Sequence, residues 1–238
     1  MLKIGQISDI HIGENKGPVL GIDTRNNFMY ALKSILAKNP DFLVLSGDLA
    51  YNNGEPGAYK FIAEQLKGLK YPVFIIPGNH DNIETMSKFF DLPVKNGKCY
   101  YRHDADDKTF FFLDSACGDL SKDQLDWFKN EMKTVNGEAY VFMHHPPCLC
   151  DHKFMDSFCL KNIEEVQSVF SKYKNLNHVF CGHYHNACQK QFSHVSVHVA
   201  PAIQMQIGSN YSYFKMQSTR PGWQFINIDS IVKVIISY

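Results

Sequence analysis

Short apolar runs that stop abruptly in polar, turn-forming residues recur along the chain. Lys3-Ile4-Gly5-Gln6-Ile7-Ser8 leads into Asp9-Ile10-His11, and Asp41-Phe42-Leu43-Val44-Leu45-Ser46 leads into Gly47-Asp48. Val73-Phe74-Ile75-Ile76 ends at Pro77 and opens into Gly78-Asn79-His80-Asp81. Ala139 to Met143 runs into His144-His145-Pro146-Pro147, and His178 to Cys181 into Gly182-His183-Tyr184-His185. Each reads as a strand closed by a turn. Between the first three lie stretches of helical period. Residues 26–38 carry Phe28, Leu32, Ile35 and Leu36 on one face and stop at Asn39-Pro40, and a second helix carries Tyr59, Ile62, Ala63 and Leu66. Two βαβ units follow, and with them a parallel sheet.

The pattern then changes. Residues 83–90 keep helical spacing through Ile83, Met86 and Phe90, but Tyr100-Tyr101-Arg102 and residues 109–113 flank the polar cluster 104–108 like a β-hairpin. Ser121-x-x-Gln124 and Asn162-x-x-Glu165 read as capping boxes opening two more helices. Residues 195–199, 225–228 and 231–236 are strands of the tail. Segments 12–24, 51–57, 148–159 and 207–222 are loops: the first is expected to wall the strand ends, and the third, bearing Asp151, His152, Lys153 and Asp156, to set specificity. No repeat, linker or low-complexity stretch divides the chain, so residues 1–238 are expected to form one domain.

Composition narrows the function. With 238 residues, 45% of them apolar, a large core can be buried. Lys and Arg number 24 and Asp and Glu number 24, so the strong positive field of a protein that grips polymeric nucleic acid is missing. The first residues enter a strand directly, without a basic leader or an apolar span, which makes a cytoplasmic, non-membrane protein the expectation. The seven cysteines are scattered and odd in number, so they form no disulfide framework; Cys148-x-Cys150 lacks the spacing and the second pair of a thiolate metal site. They are read as small, mostly buried thiols.

What the strand ends share is chemistry. Gly78-Asn79-His80-Asp81 alone would be an ordinary turn with a surface histidine. Five strands that all terminate in carboxylate, amide or imidazole side chains are a different matter, because ligands gather at the carboxyl edge of such sheets. Asp9-x-His11, Gly47-Asp48, Gly78-Asn79-His80-Asp81, His144 of His-His-Pro-Pro and Gly182-His183-x-His185 resemble the five signature blocks of the calcineurin-like metallophosphoesterases. Within that superfamily the chain is most similar to the class III cyclic nucleotide phosphodiesterases of bacteria, a branch that also holds glycerophosphodiesterases. Residues 20–24, 200–205 and 220–223 resemble accessory blocks of the cyclic nucleotide branch.

The resemblance implies an α/β (α+β) fold, a four-layer α-β-β-α sandwich of two mixed sheets flanked by helices, with a dinuclear site at the C-terminal ends of the strands. It implies that Asp9, His11 and His185 hold one ion, that Asn79, His144 and His183 hold the other, and that Asp48 bridges them. His145 is the alternative to His144, which the family pattern favours. Donors of this kind without thiolate suit Mn²⁺, Fe²⁺/Fe³⁺ or Zn²⁺, whereas calcium would want more oxygens. Seven donors suit two ions about 3.5 to 4 Å apart. The activity implied is hydrolysis of a small phosphodiester, a 3′,5′-cyclic nucleotide such as cAMP, by in-line attack of a metal-bridging hydroxide. His80 then serves as the catalytic group at the leaving alkoxide with Asp81 as its partner, and His11, Asn79, His80 and His185 meet the substrate. Tyr51 and Tyr211 are candidates to stack on a base. His103, His152, His178, His194 and His198 are read as solvated or core residues, with His152 the one to watch because of its loop. A glycerophosphodiesterase, a nucleotide pyrophosphatase and a phosphomonoesterase are alternatives within this chemistry. A non-catalytic scaffold would not need the full ligand set, and a nuclease is disfavoured by the neutral charge. Quaternary structure stays open, with a homodimer as one option.

Overall fold

The computed structural model describes residues 1–238. The first half follows the alternation of periods: β1 (Leu2–Ile7), α1 (Thr24–Leu36), β2 (Phe42–Ser46), α2 (Pro56–Leu66) and β3 (Val73–Ile76). Helix α1 starts earlier than its apolar stripe, because the Asp23 carboxylate accepts the Asn26 backbone N–H at 3.0 Å and so caps the end. The region expected to be helical over 83–90 is shorter: α3 (Ile83–Met86) ends after one turn, and Phe89 and Phe90 fold back onto the Met86 carbonyl. A small hairpin not foreseen in the pattern follows, β4 (Val94–Lys95) with β5 (Lys98–Cys99). The larger hairpin, β6 (Tyr101–Ala105) and β7 (Lys108–Leu113), is longer than read, with its turn confined to Asp106-Asp107.

Next come α4 (Lys122–Met132), β8 (Glu138–Met143), a 3₁₀ turn at Met155–Phe158, α5 (Ile163–Phe170) and β9 (Leu176–Cys181). Then come β10 (Cys188–Phe192), β11 (Val195–Val199), β12 (Gln206–Ile207), β13 (Met216–Ser218), β14 (Trp223–Ile228) and β15 (Val232–Ser237). Strand β10, an unexpected partner for β11, alternates exposed and half-buried residues with little apolar signal.

Two mixed sheets result, in the orders β15-β14-β1-β2-β3 and β10-β11-β9-β8-β7-β6. The pairings β1-β2 and β2-β3 are parallel, as the βαβ reading requires; β14 and β15 return antiparallel from the tail. Three apolar clusters mark the interfaces of a four-layer sandwich. Phe28, Leu32 and Ile35 of α1 and Ile62 of α2 cover Ile7, Leu43 and Leu45 on one sheet. Leu125 and Phe128 of α4 and Val166 and Phe170 of α5 cover Phe111, Val141 and Val179 on the other. Residues of opposite parity, among them Ile4, Val44, Phe110, Phe112, Phe142 and Phe180, meet between the sheets. Strands β2 and β8 are buried on both faces almost throughout, and the last residues of β1, β3 and β9 are buried as well, so the polar side chains of the site emerge just beyond the strand ends.

Candidate metal centre

The five strand-end turns converge. Asp9, His11 and His185 bring ligand atoms within 4.8 Å of one another, and so do Asp48, His144 and His183. A third such group, His11, Asp48 and His80, overlaps the other two. All of these residues are buried except His80, which is half-buried. Asn79 lines the same cleft but is solvent-exposed at its mouth, unlike its expected co-ligands.

Local backbone geometry carries the mark of the site. Asp9, His11, Asp48, His183 and His185 all lie in the left-handed region, with φ of 53°, 50°, 52°, 71° and 55°. Such conformations cost non-glycine residues roughly 1–3 kcal/mol each and persist only where the surroundings over-determine them. Here they are held by N–H groups of Asp9, Ile10 and His11 that reach the Gly47 and Asp48 carbonyls at 2.8–3.1 Å, and by the His183 N–H on the Asp9 carboxylate at 3.0 and 3.1 Å. Two signature glycines are required by close approach. A Cβ on Gly78 would overlap the Asp48 carboxylate and backbone nitrogen, and one on Gly182 would overlap the Ser8 hydroxyl and crowd Asp9.

Three imidazoles are oriented by backbone carbonyls. His144 Nδ1–H donates to Ser46 O at 2.8 Å, His185 Nδ1–H to Met205 O at 3.1 Å, and His183 Nε2–H to Phe158 O at 2.9 Å. Each bond fixes the tautomer and leaves the other ring nitrogen with a lone pair. His144 Nε2 is fully buried without a hydrogen-bond partner, 3.3 Å from Asp48 Oδ2 and 3.9 Å from Asp9 Oδ1. His11 Nε2 and His185 Nε2 lie 3.1 Å apart. Two lone pairs at that separation repel unless a proton or cation lies between them, and nitrogens about 2.0–2.1 Å from one shared ion would be spaced this way. The donor set fits borderline divalent ions, with no thiolate in either group.

The electrostatics agree. Burial pushes the Asp48 carboxyl up, but the His144, His11 and His80 rings around it outweigh burial and hold it well below the usual range. Burial disfavours the charged form of His144, yet the Asp48 and Asp9 carboxylates raise it to about 9; a field that binds a proton at Nε2 equally favours a cation. His11 and His183 are lowered, first by burial, His183 to about 4, so they offer neutral lone pairs.

Several expectations are corrected. Asp81 does not serve His80: its carboxylate accepts the backbone N–H groups of Leu49, Ala50 and Gly78 at 3.0–3.1 Å and the Tyr59 hydroxyl at 3.0 Å. His152, by contrast, is the core residue it was read as, its ring spanning the Met155 N–H and the Ile207 carbonyl. In the 148–159 loop, Asp156 binds the Cys150 and His152 N–H groups and the Tyr184 hydroxyl, so it organises the loop and does not face a ligand. Phe154, Met155, Ser157, Phe158 and Cys159 form that loop's wall of a cleft of about 590 Å³. Segment 12–24 takes no part in that wall; Glu14 instead accepts the Gly57 N–H at 2.7 Å. Tyr51 lines the cleft, whereas Tyr211 sits apart beside Lys215. His145, offered as the alternative ligand, belongs to none of the three groups, whereas His144 belongs to one; His145 lines the cleft and is paired through Nδ1 with the Ser115 hydroxyl at 3.0 Å. The carbonyls of Ser46, Phe158 and Met205 had no sequence signal, because any residue supplies one. No helix is long and apolar enough to cross a membrane.

The family model for the calcineurin-like phosphoesterases matches residues 2–187. A probable cyclic nucleotide phosphodiesterase of Fibrobacter succinogenes is 53% identical over 95% of this chain and 89% of its own length. The 3′,5′-cyclic adenosine monophosphate phosphodiesterase of Haemophilus influenzae is 30% identical over 97% of this chain and 86% of its own. The crystal structure of a dimetal phosphatase from Danio rerio shares the fold, with a TM-score of 0.67 and 13% identity over 94% of this chain and 95% of that one.

Proposed function

Because the chain belongs to the calcineurin-like phosphoesterase family, whose members depend on two metal ions, we propose that it hydrolyses a small phosphodiester and that its substrate is a 3′,5′-cyclic nucleotide. The observation that carries this reading is the convergence of Asp9, His11, Asp48, His80, His144, His183 and His185 in three overlapping clusters of ligand atoms, in a chain 53% identical to a probable cyclic nucleotide phosphodiesterase. A scaffold would have no use for an orphaned, carbonyl-oriented His144 or for strained backbone at five ligand positions.

In this reading Asp9, His11 and His185 hold one ion, His144, His183 and Asn79 the other, with Asp48 shared. Mn²⁺ or iron is the expected filling and Zn²⁺ the alternative. When bound, such ions lower the pKa of a water and neutralise charge on the phosphoryl oxygens. The chain's own residues do the rest. His80 stands half-buried in the cleft, edge-on to His11 with ring centroids 4.9 Å apart, and its backbone N–H donates to Asp48 Oδ1 at 2.9 Å. That bond fixes the turn, so the ring is free to deliver a proton to the leaving alkoxide oxygen as its bond to phosphorus breaks. Phe154, Phe158 and Phe214 pack edge-to-face at 5.2 and 6.1 Å along the far wall, an apolar surface for a base. All seven cysteines are free, which suits a reducing cytoplasm.

The test is initial rates of the purified protein, stripped and reloaded with Mn²⁺, on bis(p-nitrophenyl) phosphate, p-nitrophenyl phosphate and 3′,5′-cyclic AMP, with an Asn79→Ala control. The expected outcome is diester turnover well above monoester turnover and, for Asn79→Ala, a loss of at least about 100-fold, as for removal of a group that stabilises transition-state charge. A dead wild type on every diester sinks the reading; turnover of a glycerophosphodiester without turnover of cyclic AMP moves it to the glycerol branch.

A further inference from the structure

The side-chain amide of Gln204 carries a buried donor without a partner. The residue is 1% exposed, it lines the cleft, and its Nε2 is fully buried without a hydrogen-bond partner. Gln206 and Gln224 also carry a buried orphan atom, but each donates through Nε2, to Ala202 O at 2.8 Å and to Gln6 Oε1 at 2.5 Å, and neither lines the cleft. The main chain around Gln204 is pinned on both sides. Its N–H donates to Asp9 O at 3.1 Å, and the next carbonyl, Met205 O, accepts from His185 Nδ1 at 3.1 Å. The carbonyl before it, Ile203 O, accepts from Asn27 Nδ2 at 3.2 Å. The Gln204 backbone is therefore held beside Asp9 and His185, and an unmet donor on its side chain is costly.

Resting on the phosphodiester reading above, we infer that Gln204 is a substrate-positioning residue whose carboxamide donates to a phosphoryl oxygen of the bound diester. In that reading the part of the substrate that meets the candidate ion ligands beside Gln204 is the phosphate, which offers only acceptors. An amide offers two N–H donors, and the terminal torsion of Gln is broad and two-fold, so the NH₂ can turn to the ligand at small cost. A donor left unsatisfied in the free protein and satisfied by the ligand adds affinity without ordering a flexible group.

The test compares wild type with Gln204→Met, which keeps size and removes the donor. Binding of inorganic phosphate to the Mn²⁺-loaded proteins is measured by calorimetry, together with metal content, thermal midpoint, and KM and kcat on bis(p-nitrophenyl) phosphate and cyclic AMP. The expected result is phosphate affinity and kcat/KM lower by about 10- to 100-fold, equally for both diesters, as for loss of a hydrogen bond to a charged group. Metal content is unchanged, and the thermal midpoint is equal to or above wild type, because an orphaned amide has been replaced by an apolar group. Unchanged phosphate affinity overturns the inference; so does lost metal content, which would make Gln204 a support of the ion ligands, and so does a fall confined to cyclic AMP, which would put the amide on the nucleoside. Should wild type turn over no diester, the functional reading fails while the phosphate comparison still decides the role of Gln204. Gln204→Glu guards against misfolding: same length, no donor, and a still weaker hold on phosphate.

Discussion

Asp81 shows how much a single carboxylate does for this site without touching a ligand. It gathers the N–H groups of Leu49 and Ala50, one and two residues beyond Asp48, and of Gly78, just before Asn79. One side chain thus ties two of the converging turns together, and the Tyr59 hydroxyl adds a tether to α2. Burial, followed by the neighbouring Asp48 charge, pushes the Asp81 carboxyl up to about 6, although its N–H donors work against this. All four partners are donors, so an amide is the wrong replacement. Asp81→Asn is expected to behave like Asp81→Ala, each losing about 3 kcal/mol in urea unfolding, since breaking a buried charged network costs that order. Both variants should also lose diester turnover more than the unfolded fraction explains. A D81N protein as stable and active as wild type would refute the tethering role. At this scale the sequence showed that Asp81 is polar and follows Asn79; its true partners, 31 and 32 residues upstream and on α2, exist only once β2 and β3 lie side by side.

Among the elements, the two capping signals came out differently. Ser121 caps α4, accepting the Gln124 N–H at 3.3 Å, but Gln124 does not return the bond. Its side chain is buried and brackets the backbone of Asp114, accepting from its N–H at 2.7 Å and donating to its carbonyl at 2.9 Å. Asn162 makes no side-chain cap on α5. It brackets the Leu120 backbone in the same way, at 3.2 and 2.9 Å. Both residues were legible as helix starts, and the start positions are right; tertiary partners claimed the side chains. The expected energetics differ accordingly. Ser121→Ala should cost about 1 kcal/mol, the value of an exposed cap. Gln124→Ala should cost more, about 2–3 kcal/mol, because two buried backbone groups lose their partners. Equal costs in denaturant titrations would show that Gln124 acts only within its own helix. The shortness of α3 has a similar origin: Phe90 was read as continuing the helical stripe of Ile83 and Met86, yet it turns back with Phe89 to pack on Tyr59.

Across the whole molecule, the two sheets meet through aromatic rings, and two histidines lie among them, His198 buried and His178 half-buried. His178 Nδ1 and His198 Nε2 lie 3.0 Å apart, and both rings stack against Phe180. Burial lowers both, and the His178 neighbour lowers His198 further, to about 4. A folded value of about 4 against about 6.5 in the unfolded chain means that the unfolded state takes up the proton first. Stability is therefore intact above about pH 6.5 and is lost as pH falls toward 4; His198 alone withdraws about 3 kcal/mol across that window. Unfolding of a His178→Phe/His198→Phe double variant, measured from pH 4 to 7.5, should show a shallower acid limb than wild type. Identical limbs would mean the pair titrates normally.

The sequence by itself determined the five strands that lead into the site, their order of appearance and the residue types at their ends, because those depend on local period and turn chemistry. It also made the five blocks of candidate ligands legible, since each sits within a few residues of its own strand. Only the tertiary structure decided that the blocks meet, which carbonyl holds which imidazole, that segment 12–24 stays outside the cleft, and that Asp81 serves the backbone and not His80. The reason is physical: local sequence sets φ and ψ, whereas a bond such as His183 to the Phe158 carbonyl, or Gln204 to Asp9, joins residues that only packing brings within reach.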